Sequence, residues 1–128
     1  MTTSISKRIG VMAVAVTAGV MFSASPAMAL EDIEIRDDNR QGLMHFHDNG
    51  DVFQVCDTKA DGGSVLGKLF YRPLDGGWYV VDSVTDGGDD NCGKFAYDVN
   101  NIVDYQMKLY WLGAGYQKQI AVSRVFNE

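Results

Sequence analysis

Histidine, cysteine and proline are scarce in this 128-residue chain, with two of each. Two cysteines far apart in sequence and a single His-x-His lack the C-x2–4-C and H-x3–5-H spacings of structural zinc modules. Neither Gly62-Gly63-Ser64 nor Asp82-Ser83 extends to Gly-x-Ser-x-Gly, which excludes a nucleophile elbow. No glycine-rich loop joins a strand pattern to a helix pattern, so a phosphate cradle of the P-loop type is excluded as well. Positive charge is in short supply: 11 Lys and Arg stand against 17 Asp and Glu, a net charge of −6. Binding to nucleic acid or to anionic membranes draws on Lys and Arg, so neither partner is expected. Helical periodicity, internal repeats and low-complexity tracts are missing beyond the first 29 residues.

Those first residues form a pattern of their own. Lys7 and Arg8 precede an apolar run from Ile9 to Phe22, and Ala27-Met28-Ala29 places small residues where a signal peptidase reads. The run is shorter than the ~20 residues that span a bilayer. Residues 1–29 are therefore expected to be a secretory signal peptide, cleaved after Ala29. With no Arg-Arg pair, the general secretory route is expected, with release outside the cell and no membrane insertion after cleavage. The remaining 99 residues (128 − 29) fit one domain, with 9 basic against 17 acidic groups, or −8. In an oxidising compartment Cys56 and Cys92 have only each other to pair with, so a disulfide is expected.

The mature chain opens with a charged segment, residues 30–41, in which Ile33 and Ile35 alternate with charges. It reads either as a short edge strand or as a disordered terminus. Residues 42–128 read as an all-β domain of about seven strands. Leu43–His47 and Val52–Cys56 flank Asn49-Gly50, the dipeptide of a type I′ hairpin turn. Ser64–Arg72 puts Val65, Leu69 and Tyr71 on one face and Lys68 and Arg72 on the other. Trp78–Val84 is rich in β-formers, and Phe95, Tyr97 and Val99 alternate with Ala96 and Asp98. Tyr105, Met107, Leu109 and Trp111 alternate with Gln106, Lys108 and Tyr110, and Ile120, Val122 and Phe126 are the inward candidates of the last strand. Turn signals every 8–12 residues indicate a small antiparallel β-sandwich.

With Cys56 on one strand and Cys92 before another, the outline resembles an immunoglobulin-type sandwich. The resemblance implies a strand-to-strand disulfide across a two-sheet core. The family's other marks are not here. The strand after Cys56 offers Phe70 and Tyr71 in place of a Trp, and Asp90 stands where a Tyr two residues before the second cysteine is expected.

Three groups of side chains carry candidate chemistry. His45 and His47 share one face of a strand, a real zinc-binding spacing, with Asp48 or Asp51 as the possible oxygen ligand. Asp86, Asp89, Asp90 and Asn91 lie on a glycine-rich loop and offer oxygen atoms for a calcium ion. Asp57–Gly62 has Lys59 where a calcium loop needs an oxygen, and reads as a tight turn. Surplus aromatics (Tyr71, Trp78, Tyr79, Tyr110 and Tyr116) make a candidate binding surface, while Trp111 reads as core. No residues suggest themselves as catalytic, and beyond these candidate ion sites, calcium first among them, no cofactor is expected. The expectation is a secreted, monomeric, non-enzymatic module that binds another extracellular protein. The alternatives are a carbohydrate- or calcium-binding surface module, and a small metal-dependent hydrolase built on His45 and His47.

Overall fold

The computed structural model describes residues 31–88 and 91–128. The expected signal peptide lies outside the described residues, as do Asp89 and Asp90 of the acidic loop. Eight strands form and, among the described residues, no helix: β1 (Ile33–Arg36), β2 (Gly42–His47), β3 (Val52–Asp57), β4 (Ser64–Arg72), β5 (Tyr79–Asp86), β6 (Gly93–Ala96), β7 (Asp104–Gly113) and β8 (Tyr116–Val122). They make two antiparallel sheets, β1-β2-β3-β6 and β5-β4-β7-β8. These neighbour relations have the immunoglobulin outline, with β5-β4-β7-β8 ordered like C′-C-F-G and β3 beside β6 like B beside E.

Strict two-residue alternation builds the core between the sheets. Met44, Phe46, Phe53 and Val55 enter from the first sheet, and Val65, Leu69, Tyr105, Met107 and Leu109 from the second, all fully buried. Phe46 stacks on Phe53 and Phe126 with ring centroids 4.6 and 5.5 Å apart, and Phe53 on Phe95 at 5.0 Å. The charged segment supplies the edge strand: Ile33 and Ile35 of β1 are buried, so the sandwich begins there and not at residue 42. A buried carboxylate shapes the β1–β2 turn. Asp37 accepts the backbone N–H groups of Asn39, Gln41 and Gly42.

The disulfide joins Cys56 of β3 to Cys92 just before β6. Val55 is paired with Gly93, so the two cysteines are the next opposed pair of the same ladder. Their Cα atoms are 4.5 Å apart, the spacing of a directly opposed antiparallel pair without mutual hydrogen bonds. It therefore links neighbours within one sheet, unlike the sheet-to-sheet link that the immunoglobulin resemblance implies.

Two local expectations are corrected. The β2–β3 turn is not type I′, because positive φ falls on Gly50 (95°) and Asp51 (52°) and not on Asn49. Asp51 is held in that conformation from outside the hairpin: its carbonyl accepts the N–H of Tyr97 and its carboxylate that of Val99. In β8, Val122 is exposed although Ile120 is half-buried. The register shifts between Leu109 and Tyr110, which pair with Ala121 and Gln119, so Ile120 is an extra residue and the alternation inverts beyond it.

Candidate functional site

The outer face of β5-β4-β7-β8 is set by the same alternation that fills the core. With Val65, Leu69, Met107 and Leu109 inward, Leu66, Lys68, Phe70 and Arg72 of β4 and Gln106, Lys108 and Tyr110 of β7 point outward. Three rings on this face each carry a cation. Lys68 lies over Tyr110 at 5.1 Å, Lys108 over Phe70 at 4.7 Å, and Arg72 over Trp78 at 4.9 Å. Val80 and Val122 are exposed on the flanking strands. Burial in this lattice pushes the Tyr110 hydroxyl's pKa up.

The centre of the face holds a like-charge pair. Lys68 stands directly opposite Lys108, and the same row continues to Ser83 on one side and Val122 on the other. Among the described residues neither lysine makes an ion pair, whereas Arg72 is bonded to Asp104. Like charges directly opposed across a ladder destabilise it. Each lysine leans over the ring of a diagonal neighbour, which relieves part of that repulsion.

Of the five aromatics singled out in the sequence, this face unites two, Trp78 and Tyr110. Tyr71 points inward and packs against the core. Tyr79 is exposed next to it, 5.7 Å between centroids, and donates its hydroxyl hydrogen to Asp75, which raises the phenol's pKa. Tyr116 sits at the β7–β8 turn against Trp111. Trp111 is half-buried and is not a core residue. Its indole N–H donates to Asp61 at 3.0 Å, and its ring covers Gly63 and Gly113, where a Cβ would approach within 2.5 and 2.2 Å. Phe70, Lys68 and Lys108 were not singled out as site residues, although the alternation already put Lys68 and Lys108 on the outer faces of their strands. Their signal was the polar-face register of β4 and β7, where a Phe and a Tyr interrupt the lysines.

On the outer face of the first sheet, β2 places His45 and His47 side by side, with ring centroids 4.0 Å apart and planes 20° from parallel. The carboxylate that lies beside them is Asp32, from the segment leading into β1. Neither Asp48 nor Asp51 takes that place. Asp48 contributes a backbone N–H to Asp32 at 2.9 Å, and Asp51 belongs to a separate acidic concavity with Asp98 and Glu128. The Asp48 N–H, and after it His45, hold the Asp32 carboxyl below the usual carboxylate range. Arg36, and after it His45, do the same for Glu34. Burial, reinforced by repulsion from Asp98, raises Asp51.

Of the calcium candidates, Asp86 and Asn91 lie among the described residues. Asp86 is the buried last residue of β5 and accepts the backbone N–H of Asp57 at 2.6 Å. Asn91 is exposed. Asp57–Gly62 is a turn: Asp57 accepts the N–H of Lys59, and Asp61 that of Gly63. Ser64 points outward from the second sheet while His45 and His47 point outward from the first, so these side chains lie on opposite faces of the sandwich.

Comparison with protein-family models, with curated proteins and with solved structures found no match.

Proposed function

We propose that the chain is a small secreted interaction module that docks an acidic protein surface on the outer face of β5-β4-β7-β8. The observation that carries this reading is the opposed pair Lys68 and Lys108. It places two cations without an ion-pair partner among the described residues, with Arg72 nearby, at the centre of a sheet face in an otherwise acidic protein. Such a pair lowers stability, and an anionic partner gives it a use. Aromatic rings and Arg among aliphatic neighbours are the composition of protein interface centres. Four strands about 4.8 Å apart, with ~3.4 Å per residue along them, give a face of roughly 19 by 30 Å, enough for a small interface. The cations argue against the carbohydrate alternative, because each ring already holds a charged group at stacking distance. They also argue for a monomer, since two copies of this face repel each other.

The test compares the protein with its Lys68→Glu/Lys108→Glu variant as bait in the medium of the cells that secrete it. The expected result is one acidic protein retained by the parent, released by moderate salt and lost with the variant at unchanged fold. Retention of the same protein by both baits, or retention of a polysaccharide in its place, would remove this reading.

A further inference from the structure

Outside the docking face, the two histidines form a site whose hydrogen bonds already select its ligand atoms. His45 Nδ1 is 3.0 Å from Glu34 Oε2, and His47 Nε2 is 3.2 Å from Gln54 Oε1. Both partners are acceptors, so in the neutral rings these two nitrogens carry the hydrogens. The lone pairs are then left on His45 Nε2 and His47 Nδ1. Both of those atoms face the same carboxylate oxygen: Asp32 Oδ2 lies 3.4 Å from His45 Nε2 and 3.8 Å from His47 Nδ1. Its other oxygen is held by the Asp48 N–H. Three donor atoms thus converge, with the 3.4 Å contact between His45 Nε2 and Asp32 Oδ2 a hydrogen bond when that nitrogen is protonated and two facing lone pairs when it is not, the state in which a cation bridges them.

We propose that His45 Nε2, His47 Nδ1 and Asp32 Oδ2 bind a zinc ion, with Glu34 and Gln54 as the residues that orient the two rings. The spacing fits. Zinc bonds of ~2.0–2.1 Å at tetrahedral angles hold ligand atoms about 3.3–3.4 Å apart; Asp32 Oδ2 is 3.4 and 3.8 Å from the two ring nitrogens, and one ligand atom from each of the three residues lies within 4.8 Å of the others. A histidine whose second nitrogen is bonded to a carboxylate or amide oxygen is the usual partner arrangement of metal-bound imidazole. The side chains of His45, His47 and Asp32 are 24%, 40% and 55% exposed, so the ion is reached from solvent and its fourth position is open to water or to a group from outside. Two imidazoles and one carboxylate suit zinc and disfavour calcium, which takes oxygen ligands.

Two measurements on the disulfide-bonded protein test the site, with zinc chloride as the probe. Calorimetric titration is expected to show one zinc per chain, weakened more than about ten-fold by His45→Ala, His47→Ala or Asp32→Asn. Gln54→Ala is expected to weaken it by about 10–100-fold, as loss of a ring-orienting partner does. Asp98→Asn, in the separate acidic concavity, is expected to leave it unchanged, and calcium chloride to give no heat. Long-range proton–nitrogen NMR of the unmutated protein is expected to show zinc shifting His45 Nε2 and His47 Nδ1, and not the other two ring nitrogens. Absence of stoichiometric binding, affinity unchanged in His47→Ala, or coordination through His45 Nδ1 would overturn the proposal.

Discussion

Gly67→Ala should be among the more damaging single-methyl additions that this sandwich can receive. Gly67 lies in the middle of β4, between Val84 of β5 and Leu109 of β7, and faces the opposite sheet. A Cβ there would sit 2.2 Å from Val55 Cγ2 and 2.9 Å from Met44 Sδ. Carbon atoms rest at ~3.5–4.0 Å, so the new methyl must gain more than about 1.3 Å of clearance. Met44 can swing its flexible thioether aside. Val55 cannot yield so easily: its χ1 is stiff, it is fully buried, and its strand is paired on both sides, with the disulfide one residue away. Relief has to come from spreading the two sheets, and overpacking of this kind costs about 1–3 kcal/mol. Any gain from restricting the unfolded chain, about 0.4–1 kcal/mol, is smaller. For a domain of this size each kcal/mol moves Tm by ~4–8 °C, so a fall of roughly 4–24 °C is expected in thermal denaturation with the disulfide intact. Val55→Ala alone should also destabilise, by about 2 kcal/mol. In the double variant the methyl added at position 67 occupies the space left by the Val55 side chain, so the combined loss should fall short of the sum by about 1 kcal/mol or more. A Tm within about 2 °C of the parent for Gly67→Ala, or strict additivity in the double variant, would refute this account of how the two sheets meet.

Two further outcomes follow from the geometry. Opening the 36-residue loop by replacing both Cys56 and Cys92 with Ala should lower stability by up to roughly 3–4 kcal/mol in urea denaturation, and neither cysteine of the native protein should react with a thiol label. Asp98→Asn should raise Tm at neutral pH by removing a repulsion from Asp51, a gain of up to about 1 kcal/mol. Because the fold raises the Asp51 pKa, that group's contribution to stability is intact below the unfolded carboxyl value and lost as pH rises through the raised one. The benefit of Asp98→Asn should therefore fade by about pH 3, where the carboxyls are protonated in both states; a gain that persists there would contradict the stated cause.

The strands were legible because most of them obey a two-residue alternation that one buried face enforces. Lys68 and Arg72 opposite Val65 and Leu69, and Gln106, Lys108 and Tyr110 opposite Met107 and Leu109, could be read from periodicity alone. The disulfide was legible because two cysteines allow one pairing. What escaped the sequence depends on pairing between distant segments or on register. Asp32 reaches the histidines only because β1 pairs with β2, and nothing local marks it as their partner. Asp86 is written into an acidic, glycine-rich stretch, yet β5 extends far enough to bury it against the Asp57 N–H. Val122 was read inward because a bulge leaves no local trace in a run of mixed residues. Tyr71 and Tyr110 were grouped in one candidate binding surface, although the strand parity already legible in the sequence sends one to the core and the other to the outer face. Gly67 did carry a local sign, since an isolated glycine inside a strand marks close approach of another chain segment.

The proposed docking face is tested most directly by site-specific photocrosslinking in the culture medium of the cells that produce the protein. A photoreactive residue replaces Leu66, beside the Lys68–Lys108 row, and, in a second protein, Lys94 on the outer face of the other sheet. The account predicts a discrete adduct with an acidic protein from position 66, none from position 94, and loss of the position 66 adduct when Lys68→Glu and Lys108→Glu are added. A partner captured from position 94, or an adduct at position 66 that survives the two charge reversals, would contradict it.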